Sequence, residues 1–314
     1  IYSAWAKVRT RRYFYAHTLL ADHAFDYRAN PWFILRGNLI LGFGLLLFLA
    51  LESFRPVYSG IVLAVFYGFL PFLIYKSLRF NAYNSTYRNL RFRFRGSLKE
   101  SYNTYLFIPL LIPLTLGLIF PYWVFRRKKY FFENFTFGRS PNTYTGSAGP
   151  FYQVYGITGL MVILLAVVAG GGVFFFVPQP HGPALRLDNM DRFFTLLPVA
   201  GFLVAMTAFT CIQQFLFARL TNYCWGRTSV EGLCFNSSLT VGNLLWLRLT
   251  NLLGIIFSLG LLIPWARVRR ARYLVGSLTL FSDRSLDTFE AAEQSAEKAI
   301  GEAATGFFDI DIGL

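Results

Sequence analysis

The sequence has few of the residues from which catalytic and metal sites are built. Its 314 residues include three histidines and three cysteines, and charged residues make up only 15% of the chain. Cys211, Cys224 and Cys234 are too few and too irregularly spaced for a zinc motif or a disulfide framework. No Gly-x-Ser-x-Gly or His-Glu-x-x-His motif occurs. The glycines at 170–172 are not followed by the Lys-Ser or Lys-Thr pair of a phosphate-binding loop. The sequence therefore predicts neither an enzyme nor a cofactor.

Metal-capable side chains cluster once, near the start of the chain. The cluster comprises His17, Asp22, His23 and Asp26. These residues lack the pair of histidines on one helix face that zinc sites usually show, so we predict no metal.

The composition indicates a membrane protein. Hydrophobic residues make up 55% of the chain, aromatic residues 19%, and the mean hydropathy is +0.44. A net charge of +14 would suggest nucleic acid in a soluble chain, but here the basic residues flank apolar stretches. We therefore expect anionic lipid headgroups as partners, and no nucleic acid.

Six apolar stretches approach the length of about 20 residues that a membrane-spanning helix needs. They cover residues 32–51, 57–75, 104–125, 152–177, 193–217 and 241–265. Short or charge-balanced loops join the first stretch to the second and the fourth to the fifth, which predicts two transmembrane hairpins at 32–75 and 152–217.

The third and sixth stretches differ because basic segments flank both of their ends. If all six stretches cross the membrane, eight of the 30 Lys and Arg residues lie outside; if the third and sixth enter and leave on one side, only Arg55, Arg186 and Arg192 do. The positive-inside rule favours the second arrangement. Proline, glycine and polar residues interrupt both stretches, so we predict broken helices that are re-entrant or lie in the membrane plane, with a proline-kinked span as the alternative.

A frame of an aromatic residue, an Arg four positions later and a Tyr after four more occurs three times. Leu-Gly precedes it at 116–117 and 259–260 with identical spacing, which indicates an internal repeat. Steps of four place the three side chains on one helix face, where they would anchor the helix at the membrane interface or bind a headgroup or acidic partner. The frame residues are Trp5, Arg9, Tyr13, Tyr122, Arg126, Tyr130, Trp265, Arg269 and Tyr273.

Alternating polar and apolar residues behind these frames, and behind the second and fifth apolar stretches, predict short strands. The segments are 24–27, 91–95, 134–138, 233–235 and 277–280, and we expect them to pair into small cytoplasmic sheets. An acidic, alanine-rich helix is predicted at 287–304, with docking onto the basic loops or a disordered tail as the alternatives.

The predicted organisation therefore has six parts. These are a truncated apolar segment with a basic helix and strand (1–31), a hairpin (32–75), strands with a broken segment and basic helix (76–151), a second hairpin (152–217), a second set of strands, broken segment and basic helix (218–284), and the acidic tail (285–314). The fold class is a mainly α polytopic membrane protein with short cytoplasmic strands. Because the chain begins inside an apparent apolar helix, we expect a preceding segment.

Polar residues within the apolar stretches are the candidate functional residues, because such groups are costly in lipid. They are Arg248, Asn251, Asn243, Gln213 and Gln214. Arg248 could line a path for an anionic cargo or headgroup, or reach the interface with its long side chain.

Several motifs together resemble the YjgN-like family of bacterial inner-membrane proteins. They are residues 5–13, the basic run 87–96, the segment 115–122 and the closing 309–313. The resemblance covers nearly the whole chain and implies a multi-pass inner-membrane protein without an assigned function, with no catalytic residue to transfer.

Two functions follow as expectations. The first is transport or lipid handling along a pathway lined by the broken helices, with basic loops and C-terminus in the cytoplasm. The second is a non-enzymatic scaffold of a membrane complex, for example with a membrane protease, or a homo-oligomer. A lipid enzyme is the least supported, for want of a nucleophile, base or metal set.

Overall fold

The computed structural model describes residues 2–54, 56–138, 140–176, 187–230 and 232–282. The chain forms two compact units. The first comprises Ile1–Gly146, Cys224–Asn236 and Ala271–Leu314, and the second Ser147–Tyr223 and Ser237–Arg270. The predicted acidic helix at 287–304 lies outside the described residues.

Helices dominate the structure, as the composition predicts. In chain order they are α1 (Tyr2–Ala16), α2 (Pro31–Phe54), α3 (Pro56–Tyr83), α4 (Leu98–Tyr102), a π-helical turn (Asn103–Phe107), α5 (Ile108–Leu114), α6 (Phe120–Asn134), α7 (Gly149–Phe176), α8 (Leu187–Gly226), α9 (Val241–Phe257) and α10 (Ile263–Gly276).

Four of these helices are long and apolar enough to cross a membrane. Their candidate spans are Pro31–Glu52, Val57–Tyr83, Gly149–Val168 and Val199–Gly226. They overlap the four stretches predicted to form two hairpins. Helices α3 and α8 continue eight or more residues beyond the predicted ends at 75 and 217, because the backbone stays helical through the polar residues that follow.

The strands form one sheet rather than the several small sheets predicted. They are β1 (Leu19–Leu20), β2 (His23–Tyr27), β3 (Ser85–Tyr87), β4 (Leu90–Phe94), β5 (Phe135–Phe137), β6 (Ser140–Tyr144), β7 (Thr228–Val230), β8 (Leu233–Ser237) and β9 (Leu278–Ser282). Their order in the sheet follows their order in the chain. Backbone pairing between segments 40 or more residues apart joins pieces that the sequence pattern could only identify one at a time, as with Arg93 opposite Thr136.

Tight turns connect β1 to β2 and β3 to β4. Ala21 and Asp22 have φ of 44° and 60°, and Arg88 and Asn89 have φ of 45° and 66°. Two consecutive residues with positive φ make the turn type whose twist suits a two-residue hairpin. Strands β4, β6 and β8 then alternate buried and exposed side chains, as the two-residue periodicity predicts.

Aromatic residues join the sheet to the helices of the first unit. Tyr130 of α6 is fully buried and packs edge-on against Phe94 of β4, with ring centroids 5.2 Å apart. Ala82 of α3 completes this buried cluster. Gly96 is required beside it, because a Cβ there would lie 2.6 Å from the Phe94 ring and 2.9 Å from the Tyr130 ring.

Candidate functional site: two broken helical hairpins

The third apolar stretch breaks between Leu114 and Phe120, and the sixth between Phe257 and Ile263. We call residues 98–134 the first broken hairpin and residues 241–276 the second broken hairpin. In each, a turn that contains the Leu-Gly pair connects an apolar helix to a basic one.

The two turns have the same backbone geometry. Leu116 and Gly117 have φ of 50° and 84°, and Leu259 and Gly260 have φ of 50° and 92°. The Gly117 amide donates to the carbonyl of Ile112, five residues back, at 2.8 Å, and the Gly260 amide donates to Ile255 at 2.8 Å. This pattern of hydrogen bonds ends a helix and satisfies its last carbonyls.

A hydroxyl side chain also binds the backbone amide just before the helix that follows each turn. Thr115 Oγ1 accepts a hydrogen bond from the Ile119 amide at 3.4 Å, and Ser258 Oγ accepts one from the Leu262 amide at 3.1 Å. The leucines at the tips are almost fully exposed, 93% for Leu116 and 94% for Leu259. A turn with satisfied polar backbone and exposed leucines suits insertion into lipid.

Side chains hold the two arms of the first broken hairpin together. Trp123 Nε1 donates to the carbonyl of Thr104 at 2.9 Å, and the Tyr130 hydroxyl donates to the carbonyl of Ser97 at 3.2 Å. An Arg126 Nη lies 3.8 Å from a Glu100 carboxylate oxygen. Residues near the start of one arm thus contact residues near the end of the other, so the arms run antiparallel.

A π-helical turn at Asn103–Phe107 lies in the first arm. Such turns add one residue to a helix and are frequent at functional sites. Thr104 within it is fully buried, and its Oγ1 has no hydrogen-bond partner among the described residues. The neighbouring Ser101 donates through Oγ to the carbonyl of Pro71 in α3 at 2.8 Å, which ties the hairpin to a candidate span.

Arg269 holds the second broken hairpin closed. Its guanidinium donates to Thr250 Oγ1 at 2.6 Å and to Asn251 Oδ1 at 3.1 Å, and it lies over the Trp265 ring, 5.2 Å from the centroid. Asn251 Nδ2 in turn donates to the carbonyl of Ala266 at 3.2 Å. Both ends of the Asn251 amide are therefore occupied within the hairpin.

The polar candidates of the apolar stretches divide into separate places. Arg248 is exposed and donates to Gln213 Oε1 of α8 at 3.3 Å, whereas Asn251 is buried against α10. Gln214 is buried and Asn243 is exposed. The structure brings Arg248 and Gln213 together but does not gather all five residues around one point.

The frame residues have different surroundings in the three helices that carry them. Trp5 packs edge-on against Trp32 with centroids 5.1 Å apart, Arg9 is exposed, and Tyr13 is about half exposed. On α6, Tyr122 and Arg126 are half-buried and Tyr130 is buried, so its contacts are with protein. On α10, Trp265 is about half exposed and Tyr273 is half-buried.

Burial raises the pKa of the Tyr130 phenol far above its ordinary value of 10.0, with the nearby Glu100 charge contributing in the same direction and a hydrogen bond from Ser101 opposing it. The phenol keeps its proton and donates a hydrogen bond to the Ser97 carbonyl.

The predicted histidine and aspartate cluster makes local contacts. His17 Nδ1 lies 2.8 Å from the Tyr13 carbonyl, and His23 Nδ1 lies 2.8 Å from the Ala21 carbonyl. A hydrogen bond from Arg28 lowers the pKa of Asp26. Within the part of the chain that the structure describes, no group of three or more His, Cys, Asp or Glu side chains could hold a metal.

Sequence reasoning missed the contacts of Glu100, Thr104 and Trp123. One signal was available: Glu100 is the single acidic residue in the basic segment 76–103. A lone carboxylate among seven basic residues is a candidate for a specific ion pair, and Arg126 is its partner.

The chain matches a known protein family and one named relative. Residues 1–307 match a family described as "Bacterial protein of unknown function (DUF898)". The chain is also 24% identical over 120 residues to the inner membrane protein YjgN of Salmonella typhimurium strain LT2. That match covers 38% of this chain and 30% of the relative, so it spans less than a third of that protein's length. No solved structure matches.

The family match covers nearly the whole chain, and the weaker match to YjgN agrees with the resemblance stated from residues 5–13, 87–96, 115–122 and 309–313. Four helices are long and apolar enough to span a membrane. The chain is a YjgN-like membrane protein and belongs to the bacterial family of unknown function DUF898.

Proposed function

We propose that this protein handles lipids or other anionic amphiphiles in the bacterial inner membrane. The single observation that carries the proposal is the matching pair of helix breaks with exposed leucine tips. In this proposal each broken hairpin enters and leaves the cytoplasmic leaflet, where it disturbs lipid packing and gives headgroups a polar path past its own aromatic and basic residues. No catalytic role is proposed.

Strand order and helix length support entry and exit on one side. Strands β4 and β5 are neighbours in the sheet, and the chain between them is the first broken hairpin. Helix α6 has 15 residues and is about 22 Å long at a rise of about 1.5 Å per residue. The hydrocarbon core is roughly 30 Å thick, so α6 is too short to return across it.

A constant offset along the chain supports equivalent roles for the two hairpins. Strands β3, β4 and β5 and helices α4 and α6 begin 143 positions before β7, β8, β9, α9 and α10, respectively. The shared offset, together with the shared turn geometry, favours a duplicated unit over two unrelated loops.

The charge pattern supports an orientation with the sheet in the cytoplasm. The basic segments lie on α6, on α10 and between α3 and α5, and the positive-inside rule places such segments on the cytoplasmic side. The name of the relative YjgN supports the inner membrane as the location.

Lipid movement can be tested directly in vesicles. The full-length protein is reconstituted into vesicles of phosphatidylethanolamine and phosphatidylglycerol that contain a fluorescent phosphatidylglycerol, and an impermeant reductant is added outside. Bleaching of the fluorescent lipid in both leaflets supports the proposal, because lipid from the inner leaflet must first have moved to the outer one. Bleaching of the outer leaflet alone, as in protein-free vesicles, would overturn it.

Variants at the two tips show whether the broken hairpins are responsible. The double variant Leu116→Asp and Leu259→Asp places charges where we propose apolar insertion, and it should slow the bleaching of inner-leaflet lipid. Leu19→Asp is the matched control, because Leu19 is also exposed but lies on β1, outside the hairpins. Equal rates in both variants would remove the hairpins from the proposed pathway.

A scaffold is the second candidate function, and a specific observation favours it. In the most apolar part of each candidate span, only 6–11% is buried within the chain. Apolar surface of this extent faces lipid, a second copy or another membrane protein. Isolation in a mild detergent, followed by mass measurement of the native complex, tests this candidate; a monomer without stable partners would contradict it.

A further inference from the structure

Two arginines from opposite arms of the second broken hairpin contact one face of α8. Arg248 of α9 donates to Gln213 Oε1 at 3.3 Å. The guanidinium of Arg270 on α10 lies over the Phe217 ring, 5.7 Å from its centroid. Gln213 and Phe217 are four residues apart on α8, so they lie on the same face with their Cβ atoms about 5–6 Å apart. Both arginines are therefore held at neighbouring positions of that face.

The two arginines also lie at the same level of the hairpin. Arg248 lies 11 residues before Leu259 at the tip, and Arg270 lies 11 residues after it. The hydrogen bond from Arg269 to Thr250 shows that the two arms are paired at this level. At a rise of about 1.5 Å per residue, the arginines are roughly 15 Å from the tip. Half of a hydrocarbon core of about 30 Å has the same length, so a tip at the bilayer centre places both at the headgroup boundary.

Within the part of the chain that the structure describes, no carboxylate neutralises these two arginines. Arg248 and Arg270 are exposed, and neither forms an ion pair with a described residue. The second broken hairpin contains no Asp or Glu, and the two in α8, Asp188 and Asp191, precede Gln213 by at least 22 residues. Two like charges held close together repel each other, so an anion bound between them is favoured.

The first broken hairpin has a different pair of residues at these positions. The corresponding residues, 143 positions earlier in the chain, are Tyr105 and Arg127. The Arg127 guanidinium lies over the Trp123 ring, 4.7 Å from its centroid, and over the Tyr105 ring at 5.8 Å. One arginine stacked on neutral rings supplies half of the charge that the second broken hairpin has there. The arginine pair therefore distinguishes the second broken hairpin from the first.

We propose that Arg248 and Arg270 together bind the phosphate of one anionic phospholipid. Planar guanidinium donors suit phosphate oxygens, and the contacts with α8 hold both groups in place before the lipid binds. The acyl chains extend toward the tip along Leu252 and Ile256, which are exposed and lie four and eight residues beyond Arg248 on α9. A zwitterionic headgroup is disfavoured, because its cation is repelled by the two arginines. This inference rests on the proposed function and gives it a lipid class and a defined site.

Native mass spectrometry of the full-length protein tests the site. The protein is released from detergent micelles with phosphatidylglycerol or, separately, with phosphatidylcholine, and the bound lipids are counted. Arg248→Gln and Arg270→Gln should each weaken the binding of one tightly retained phosphatidylglycerol about tenfold, as expected for the loss of one charge-assisted contact. Equal retention of the two lipids by the unaltered protein would overturn the proposal.

Arg127→Gln is the matched control. Arg127 is an exposed arginine at the position of the first broken hairpin that corresponds to Arg270, so its replacement removes the same charge without touching the pair. Its phosphatidylglycerol count should equal that of the unaltered protein. Equal lipid loss in Arg127→Gln and Arg270→Gln, or equal retention in both, would overturn the proposal. Unchanged melting temperatures show that the variants are folded, and Arg270→Gln carries the test alone if Arg248→Gln unfolds.

Competition with inorganic phosphate separates the two sources of the anion. Phosphatidylglycerol that stays bound in millimolar phosphate supports a lipid site, because the acyl chains add contacts that the free ion lacks. Displacement of the lipid by millimolar phosphate would indicate a site for the free ion and would overturn the proposal.

Photo-crosslinking identifies the occupant in native membranes. Leu252, one turn from Arg248, is replaced by the photoreactive benzoylphenylalanine in the full-length protein, and the product of irradiation is analysed by mass. An adduct enriched in phosphatidylglycerol relative to the whole membrane supports the proposal. An adduct with the composition of the whole membrane, or a cross-link to protein, would overturn it.

The outcomes are independent of the test of the proposed function. Retention of phosphatidylglycerol by the arginine pair without lipid movement in vesicles would leave this site standing while the handling function fails. Lipid movement in vesicles with no loss of binding in Arg248→Gln or Arg270→Gln would remove this site and leave the handling function.

Discussion

Arg269 crosses between the two arms of the second broken hairpin and satisfies polar groups on the opposite arm. It contacts Thr250 and Asn251, and Asn251 also donates to the Ala266 carbonyl. A charged donor shared by two neutral acceptors in a half-buried site is costly to remove, because both acceptors lose their partner.

Arg269→Gln should therefore lower the stability of the protein by about 1–3 kcal/mol. The measurement is the thermal unfolding midpoint in detergent, compared with that of the unaltered protein. Arg272→Gln is the control, because Arg272 is exposed on the same helix. Equal midpoints for the two variants would contradict a bridging role for Arg269.

The raised pKa of Tyr130 predicts that the protein loses stability at alkaline pH. Its pKa is raised in the folded protein, so the unfolded chain releases the phenolic proton at a lower pH than the folded chain does. The stabilising effect is fully present below about pH 10 and declines as the pH rises further. Unfolding midpoints measured from pH 8 to above pH 10 should fall for the unaltered protein.

The unfolding midpoint of Tyr130→Phe should fall less steeply over the same pH range. At neutral pH this variant should be about 1 kcal/mol less stable than the unaltered protein, because it lacks the hydrogen bond to Ser97. Tyr152→Phe, at an exposed tyrosine, is the matched control. If Tyr130→Phe kept the full alkaline decline, ionisation of another group would have to be its cause.

At the scale of elements, the turns that break the two apolar helices depend on glycine. Gly117 has a φ of 84°, and a Cβ there would meet no atom within 4 Å. A substitution is thus opposed by the backbone conformation and not by crowding. Gly260 has a φ of 92° and the same place in its turn.

Gly117→Ala should cost about 1 kcal/mol, because the left-handed conformation is unfavourable for a residue with a Cβ. The thermal unfolding midpoint of the purified protein is the measurement. Gly242→Ala is the control: Gly242 lies in the first turn of α9 with nothing within 4 Å of a Cβ, so alanine there should be neutral or stabilising. Destabilisation by Gly242→Ala but not by Gly117→Ala would contradict this account of the break.

At the scale of the whole molecule, the sheet order constrains the path of the chain through the membrane. Asn89, before the first broken hairpin, and Thr143, after it, belong to hairpins of the same sheet. If the first broken hairpin enters and leaves on one side, cysteines at these two positions share one side of the membrane.

Cysteine labelling in intact spheroplasts checks this expectation. Asn89→Cys and Thr143→Cys, each in a cysteine-free protein, should be protected from an impermeant maleimide until the membrane is permeabilised. The native Cys234 is exposed and should behave in the same way, whereas Cys224 is buried and cannot report. Glu52→Cys, at the end of α2, is the opposite control and should react in intact cells. Opposite labelling of positions 89 and 143 would contradict same-side entry.

Local patterns in the sequence determined the elements that depend on neighbouring residues. Apolar length predicted the four candidate spans, two-residue alternation predicted strands such as β4 and β8, and proline and glycine placed interruptions in the third and sixth stretches. These features follow from the hydrophobicity and backbone preferences of residues close together in the chain.

Tertiary structure decided what depends on residues far apart. The joining of nine strands into one sheet, the burial of Tyr130 between Phe94 and Tyr105, and the pairing of Glu100 with Arg126 all involve contacts between distant segments. Periodicity assigns a side chain to a face but does not say what covers that face. The same frame of an aromatic residue, Arg and Tyr gives a buried Tyr130 on α6 and a half-buried Tyr273 on α10, because different elements pack against the two helices.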